Sequence, residues 1–311
     1  MRGPVPQPSP TAPAHSQTRS AAHFPSAVTF DVRDGLKRVH VITPAATATI
    51  YLQGAHLTAW QPAGFGPVIF LSPKSALAVG KPVRGGIPIV FPWFSADKKN
   101  RLNGRPGPMH GFARTQEWSL ESASRKASAI ELKLTLGPTE TSRSMGFDKF
   151  RLELTFRITH TLTVALKVIN QSDQPMEFEE GLHSYFHVTD IHEVTVTGLE
   201  AAKFIEKSDG AHIQPASGAP ITFTDVVDRI YPDTAATCIV HDEAGKRRIS
   251  IQKSGSHSTI VWNPWREMPD LGPWDWHNMV AVETANVGAD ALTLKPGESH
   301  TMQAIISVAK A

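Results

Sequence analysis

Residues 150–170 alternate between apolar and polar positions. Leu152, Leu154, Phe156 and Ile158 are followed by Leu162, Val164, Leu166 and Val168, with mostly polar residues between them. Period two is the mark of a strand with one buried face. Shorter runs of similar character occur at 39–42, 48–52, 130–136, 194–199, 249–252 and 304–308. Gly, Pro, Asn and Asp separate them, as in Asn170-Gln171-Ser172-Asp173-Gln174-Pro175. No segment keeps a helical period over three turns. Many short strands with turn signals between them predict an all-β protein, an antiparallel sandwich or barrel.

The first two dozen residues break the pattern. Prolines stand at positions 4, 6, 8, 10 and 13, and no acidic residue precedes Asp31. Arg2, Arg19 and the missing acids suggest a transit peptide, but the prolines argue against an amphipathic targeting helix. The expectation is a disordered leader over 1–24 and one folded domain over 25–311. No second compositional break or internal repeat divides that body.

Composition narrows the functional classes. The 311 residues are 41% hydrophobic and 19% charged, so the chain can bury a core. Its net charge of +2 gives no global field for nucleic acid or an acidic membrane. No apolar run approaches the roughly 18 residues of a spanning helix. The single cysteine, Cys238, excludes an internal disulfide framework and fits a reducing, cytoplasmic setting. Walker, dinucleotide-binding, serine-elbow and zincin motifs are all absent.

Four segments are unusual for a plain sandwich. Residues 84–94 read R-G-G-I-P-I-V-F-P-W-F: the glycines permit a tight turn or close approach, and the prolines forbid a regular central strand. Taken alone, this reads most simply as a turn entering the core, with Arg84 solvated. His110-Gly111-Phe112-Ala113-Arg114 follows a Gly- and Pro-rich loop and suits a binding rim. In Gly181-Leu182-His183-Ser184-Tyr185-Phe186-His187, the residues His183, Tyr185 and His187 share one strand face, although a strand histidine is more often simply hydrogen-bonded. Glu283 interrupts the apolar run of residues 279–285. A carboxylate there must be paired, hydrogen-bonded or proton-shifted, as an edge-strand ion pair or as a general base. Upstream, Trp262, Trp265, Trp274 and Trp276 group four of the seven tryptophans, as a sugar platform or as core.

In this order the strings resemble the glucose-6-phosphate 1-epimerase family, the hexose-phosphate mutarotases within the aldose 1-epimerase group. The matching strings are R-G-G-I-P-I-V-F-P-W-F, H-G-F-A-R, G-L-H-S-Y-F, V-D-R-I-Y at 227–231, W-N-P-W and V-A-V-E-T-A. Each is weak alone and the ordered set is specific; it spans about residues 28–308. The resemblance implies a large antiparallel sandwich of galactose mutarotase-like type, with its sugar cleft on a concave sheet face. It implies Glu283 as base and His183 as acid, a pair suited to opening a hemiacetal. His110 would assist binding, Asp228 would accept sugar hydroxyls, and Arg84 and Arg114 would hold a 6-phosphate. No cofactor or metal is required, and the expected partner is a hexose 6-phosphate bound by a monomer. Met109 departs from the family pattern, in which relatives can carry a polar residue before H-G-F-A-R, and the leader lies outside the resemblance.

Rival readings are a free-sugar aldose 1-epimerase, a carbohydrate-binding sandwich without turnover, and a metal enzyme using His183, His187, Asp190 and His192. In a continuous strand the last two residues face away from the first two, so only a turn after Val188 would gather them. A glycosidase wants two carboxylates, and only Glu283 stands in a site-like context.

Overall fold

The computed structural model describes residue 1 and residues 24–311. The expected leader falls almost wholly on 2–23, outside the described residues. Phe24 already packs on Phe30, with ring centroids 5.0 Å apart.

The alternating stretch forms the centre of a nine-stranded antiparallel sheet. Phe150–Ile158 pairs with Thr161–Asn170 so that Leu154 faces Leu166 and Phe156 faces Val164. Every second side chain is buried, as period two requires. Ser299–Lys310 and Arg247–Ser254 continue the sheet on one side, and Ala129–Leu136 and Ser119–Lys126 on the other. These outer strands run past the limits of the apolar runs at 249–252 and 304–308. Their ends carry polar residues with no local pattern to betray them.

A second antiparallel sheet of eight strands is centred on Met279–Asn286, between Ser258–Asn263 and the short strands Glu180–Leu182 and Tyr185–His187. A four-stranded meander, Val28–Arg33, Leu36–Ile42, Ala46–Tyr51 and His56–Pro62, packs on the core. A two-stranded ribbon pairs Met176–Phe178 with Leu292–Leu294. All four sheets contribute to one apolar core, which includes Phe156, Leu166, Val261, Val282, Ile50, Trp60 and Phe178. Among the described residues the one α-helix is Glu140–Arg143. The architecture is an all-β antiparallel sandwich.

Pro88 and Pro92 leave only Ile89–Val90 as a strand, at the sheet's edge, where missing N–H groups are tolerated. In the eight-stranded sheet Val280 and Val282 point into the core, so Ala281 and Glu283 point to the other face. Register aligns that outer face across strands. Tyr185, Ala281, Trp262 and Asp228 form one row. Glu283, Ile260, Ile230 and Ile205 form the next.

Candidate active site

Glu283 lies in the middle of an interior strand and is buried. The edge-strand alternative is therefore gone. His183 follows Glu180–Leu182 at the break before Tyr185–His187, and its ring stacks on Tyr185 at 4.6 Å. Its Nδ1 is 3.4 Å from Glu283 Oε1. The contact is too poorly aligned to be a hydrogen bond, and His183 Nδ1 and Glu283 Oε2 have no other partner among the described residues. Burial pushes the Glu283 carboxyl well up; Asp228 adds to this and Lys207 opposes it. Burial pushes the His183 imidazole well down, helped by His110, Arg84 and Arg114. Two unpaired buried polar atoms side by side are costly unless a ligand satisfies them.

His110 approaches from the opposite wall, 5.5 Å ring to ring from His183. Its backbone is left-handed at φ 62°, a strained state for a residue with a Cβ. The strain is held by His110 N–H donating to Ser95 O at 2.7 Å. Ser95 N–H donates to His110 Nδ1 at 3.2 Å, which leaves the proton on Nε2. Burial, with Arg114, Lys207 and Arg84, pushes this imidazole down to about 3, so it is a neutral donor.

Arg84 and Arg114, expected from separate strings, line one small cavity of about 90 Å³ with His110, His183, Tyr185 and Asp270. Arg84 Nη1 donates to Tyr185 Oη at 2.9 Å, and its guanidinium lies over Trp262 at 5.4 Å. It is therefore not the solvated charge that its turn setting suggests. Arg114 Nη2 donates to Met109 O at 2.7 Å, so Met109 contributes its backbone while its side chain stays exposed. Burial weakens the proton affinity of Arg114, and Arg84 weakens it further. The Nε atoms of both arginines are buried without partners among the described residues.

Asp228 shares the face of Glu283, two strands away, so a second carboxylate does reach the site. It is ion-paired to Lys207 at 3.3 Å. Burial raises its carboxyl and Lys207 opposes the rise. Lys207 Nζ also lies over Phe94 at 5.6 Å, and Phe94 packs on His110 at 4.9 Å. Beyond Phe94 and Lys207 a larger apolar groove of about 540 Å³ runs over Ile205 and Ile230. Its charged lining residues include Lys98, Lys99, Arg101, Glu177 and Glu179, but it holds no histidine among the described residues, whereas the smaller cavity gathers His110 and His183 with two arginines and is the better candidate site.

Of the four grouped tryptophans, only Trp262 reaches the cleft. Trp265 and Trp276 pack together beside His192, and Trp274 is exposed. The four supposed metal ligands are dispersed. His187 O accepts from Arg247 Nη2 at 2.6 Å, and Asp190 pairs with His192 at 2.7 Å, both apart from His183. Among the described residues no group of three His, Cys, Asp or Glu is arranged for a metal.

Three site residues were not anticipated: His56, Lys207 and Asp270. His56 Nε2 bonds Gly85 O at 2.8 Å and braces the turn after Arg84. Burial pushes its imidazole down to about 4, so it stays neutral. No local signal marks it, because its partner is distant in sequence.

The family model described as aldose 1-epimerase matches residues 37–307. The chain belongs to the aldose 1-epimerase family. A protein of Escherichia coli K12 named "Putative glucose-6-phosphate 1-epimerase" is 32% identical over 279 residues, covering 88% of this chain and 90% of the relative. A Cenchrus ciliaris protein of the same name is 31% identical over 266 residues, covering 81% and 78%. A crystal structure of a "putative mutarotase" from Salmonella typhimurium superposes with TM-score 0.85 at 28% identity, covering 94% of this chain and 96% of that one. Galactose 1-epimerase from Lactobacillus acidophilus, at 12% identity and TM-score 0.68, shares the fold. The sandwich is thus of galactose mutarotase-like type. No helix among the described residues is long and apolar enough to cross a membrane.

Proposed function

We propose that this aldose 1-epimerase family member interconverts the α and β anomers of a hexose 6-phosphate, with glucose 6-phosphate its foremost substrate. The observation that carries this reading is the buried His183–Glu283 couple, with His183 Nδ1 and Glu283 Oε2 unpartnered among the described residues, beside a cavity that His183 lines together with the half-buried Arg84 and Arg114. Relatives named for glucose 6-phosphate support the substrate class.

Glu283 takes the proton of the C1 hydroxyl. The electron pair released on O1 forms the C1–O1 double bond as the C1–O5 bond breaks, and O5 takes a proton from His183. Rotation about C1–C2 turns the other face of the aldehyde toward O5, and the reverse transfers close the ring. The couple thus needs one proton between its two members. Without ligand that proton belongs on Glu283, since burial favours both neutral forms. A phosphate on Arg84 and Arg114 offsets the positive field against imidazolium at His183, so substrate binding favours the working form. His110 donates from Nε2, and Asp228 with Lys207 receives hydroxyl groups at the far end.

Anomer-exchange NMR tests the reading directly. Saturation transfer between the anomers of glucose 6-phosphate should appear with the protein, at rates well above those for free glucose. Absence of exchange would reduce it to a binding protein. Faster exchange of free glucose would make it an aldose 1-epimerase of unphosphorylated sugars.

A further inference from the structure

The two arginines are not waiting free for an anion. Asp270 Oδ1 lies 3.1 Å from Arg84 Nη2. Asp270 comes from a separate segment, at the tip of a tight hairpin. Met268 and Leu271 close that hairpin through reciprocal backbone bonds of 3.1 and 3.0 Å. The tip brings Asp270 into the lining of the cavity shared by Arg84 and Arg114. Its charge acts on both guanidinium groups.

The way this carboxylate is held sets it apart. Asp97, paired with Arg101, also accepts from the backbone N–H groups of Lys99, Arg101 and Gly107, and its side chain is fully buried. Asp270 has one charged partner among the described residues, Arg84, and its side chain is 40% exposed. Asp97 is a locked structural charge. Asp270 is replaceable, and it stands where an anion serving both arginines would stand.

We infer that Asp270 is an internal stand-in for the substrate's phosphate, holding Arg84 in the empty cleft and competing with the incoming group for it. This rests on the reading of Arg84 and Arg114 as the phosphate site. Two half-buried guanidinium groups without an anion repel each other, and Asp270 relieves that repulsion. A phosphate dianion must displace the hairpin tip, because two anions facing one guanidinium are unfavourable. A free sugar leaves the contact in place. Asp270 therefore sets how strongly the cleft discriminates between phosphorylated and free hexose.

The test compares the wild type with Asp270→Asn, which keeps shape and loses charge, and with Asp270→Ala. Inorganic phosphate binding is measured by calorimetry at low salt, beside KM for glucose 6-phosphate and the exchange rate of free glucose. Both variants should bind phosphate about three- to ten-fold more tightly, the range for losing one half-exposed competing charge. KM for glucose 6-phosphate should fall in step and by more than any change in free-glucose exchange, and thermal stability without ligand should drop and recover with phosphate. Unchanged or weaker phosphate binding in both variants, with Arg84→Ala abolishing binding in the wild type, would overturn the stand-in role alone. Phosphate binding to neither wild type nor variants would overturn the phosphate site and the stand-in together.

Discussion

At the residue scale the decisive feature is a couple whose members are pushed in opposite directions by burial. Glu283→Gln keeps shape and removes the proposed base; His183→Ala removes the proposed acid. Each should slow exchange about a hundred- to ten-thousand-fold. The double variant should be little slower than the poorer single one, because the two act as a unit. The pH dependence of kcat/KM should be a broad bell. The acid limb follows the depressed imidazole and the alkaline limb the raised carboxyl, both belonging to the couple as a whole. The same shift predicts a gain in stability. The folded carboxyl binds its proton more tightly than the unfolded one, whose ordinary value is 4.5. Folding stability from this group is complete below that value and is lost as pH rises through the folded value. Glu283→Gln, which never ionises, should therefore melt higher than wild type by roughly 2–4 °C at pH 8, with a smaller gain at pH 5. A melting point lowered at pH 8 would show that Glu283 is a stabilising ion-pair partner.

At the element scale, the turn between Arg84 and Ile89–Val90 aims the guanidinium. Gly86 has φ 72°, and a Cβ there would collide with the His56 ring and with Leu57 O. The glycine is thus required by both backbone conformation and space. Gly86→Ala should cost roughly 3 kcal/mol or more in urea unfolding and lower activity by displacing Arg84. Gly104 has φ 78° but open space around it, so Gly104→Ala should cost only about 1 kcal/mol. Equal losses in the two variants would mean that the His56 contact carries no weight. The R-G-G string was readable as a turn. Its brace was not, because His56 lies on another sheet and becomes a neighbour only when the chain folds.

At the scale of the whole molecule, the four sheets share one core that begins with Ala27 and Val28. The Pro-rich composition of residues 2–23 predicts no part in that core. Removing them while keeping Phe24, which packs on Phe30, should leave the melting temperature within about 1–2 °C and activity unchanged. Loss of a single cooperative transition in calorimetry would extend the folded body into the leader. Truncation that also removes Phe24 should be measurably worse, since it exposes more of the already half-exposed Phe30.

Period-two alternation and turn residues act over a few positions, so strand class was determined by the sequence alone. A lone carboxylate in an apolar run is equally local, and Glu283 was legible for that reason. The Arg84, His110 and Arg114 strings drew attention by composition, yet nothing local said that the two arginines line one cavity. That depended on which strands pair and in what register. Tertiary structure alone joined Lys207 to Asp228, set His56 against the Gly85 turn and brought Asp270 onto Arg84. Each contact links elements remote in sequence, and its energy arises only after the sheets exclude water from the charges involved.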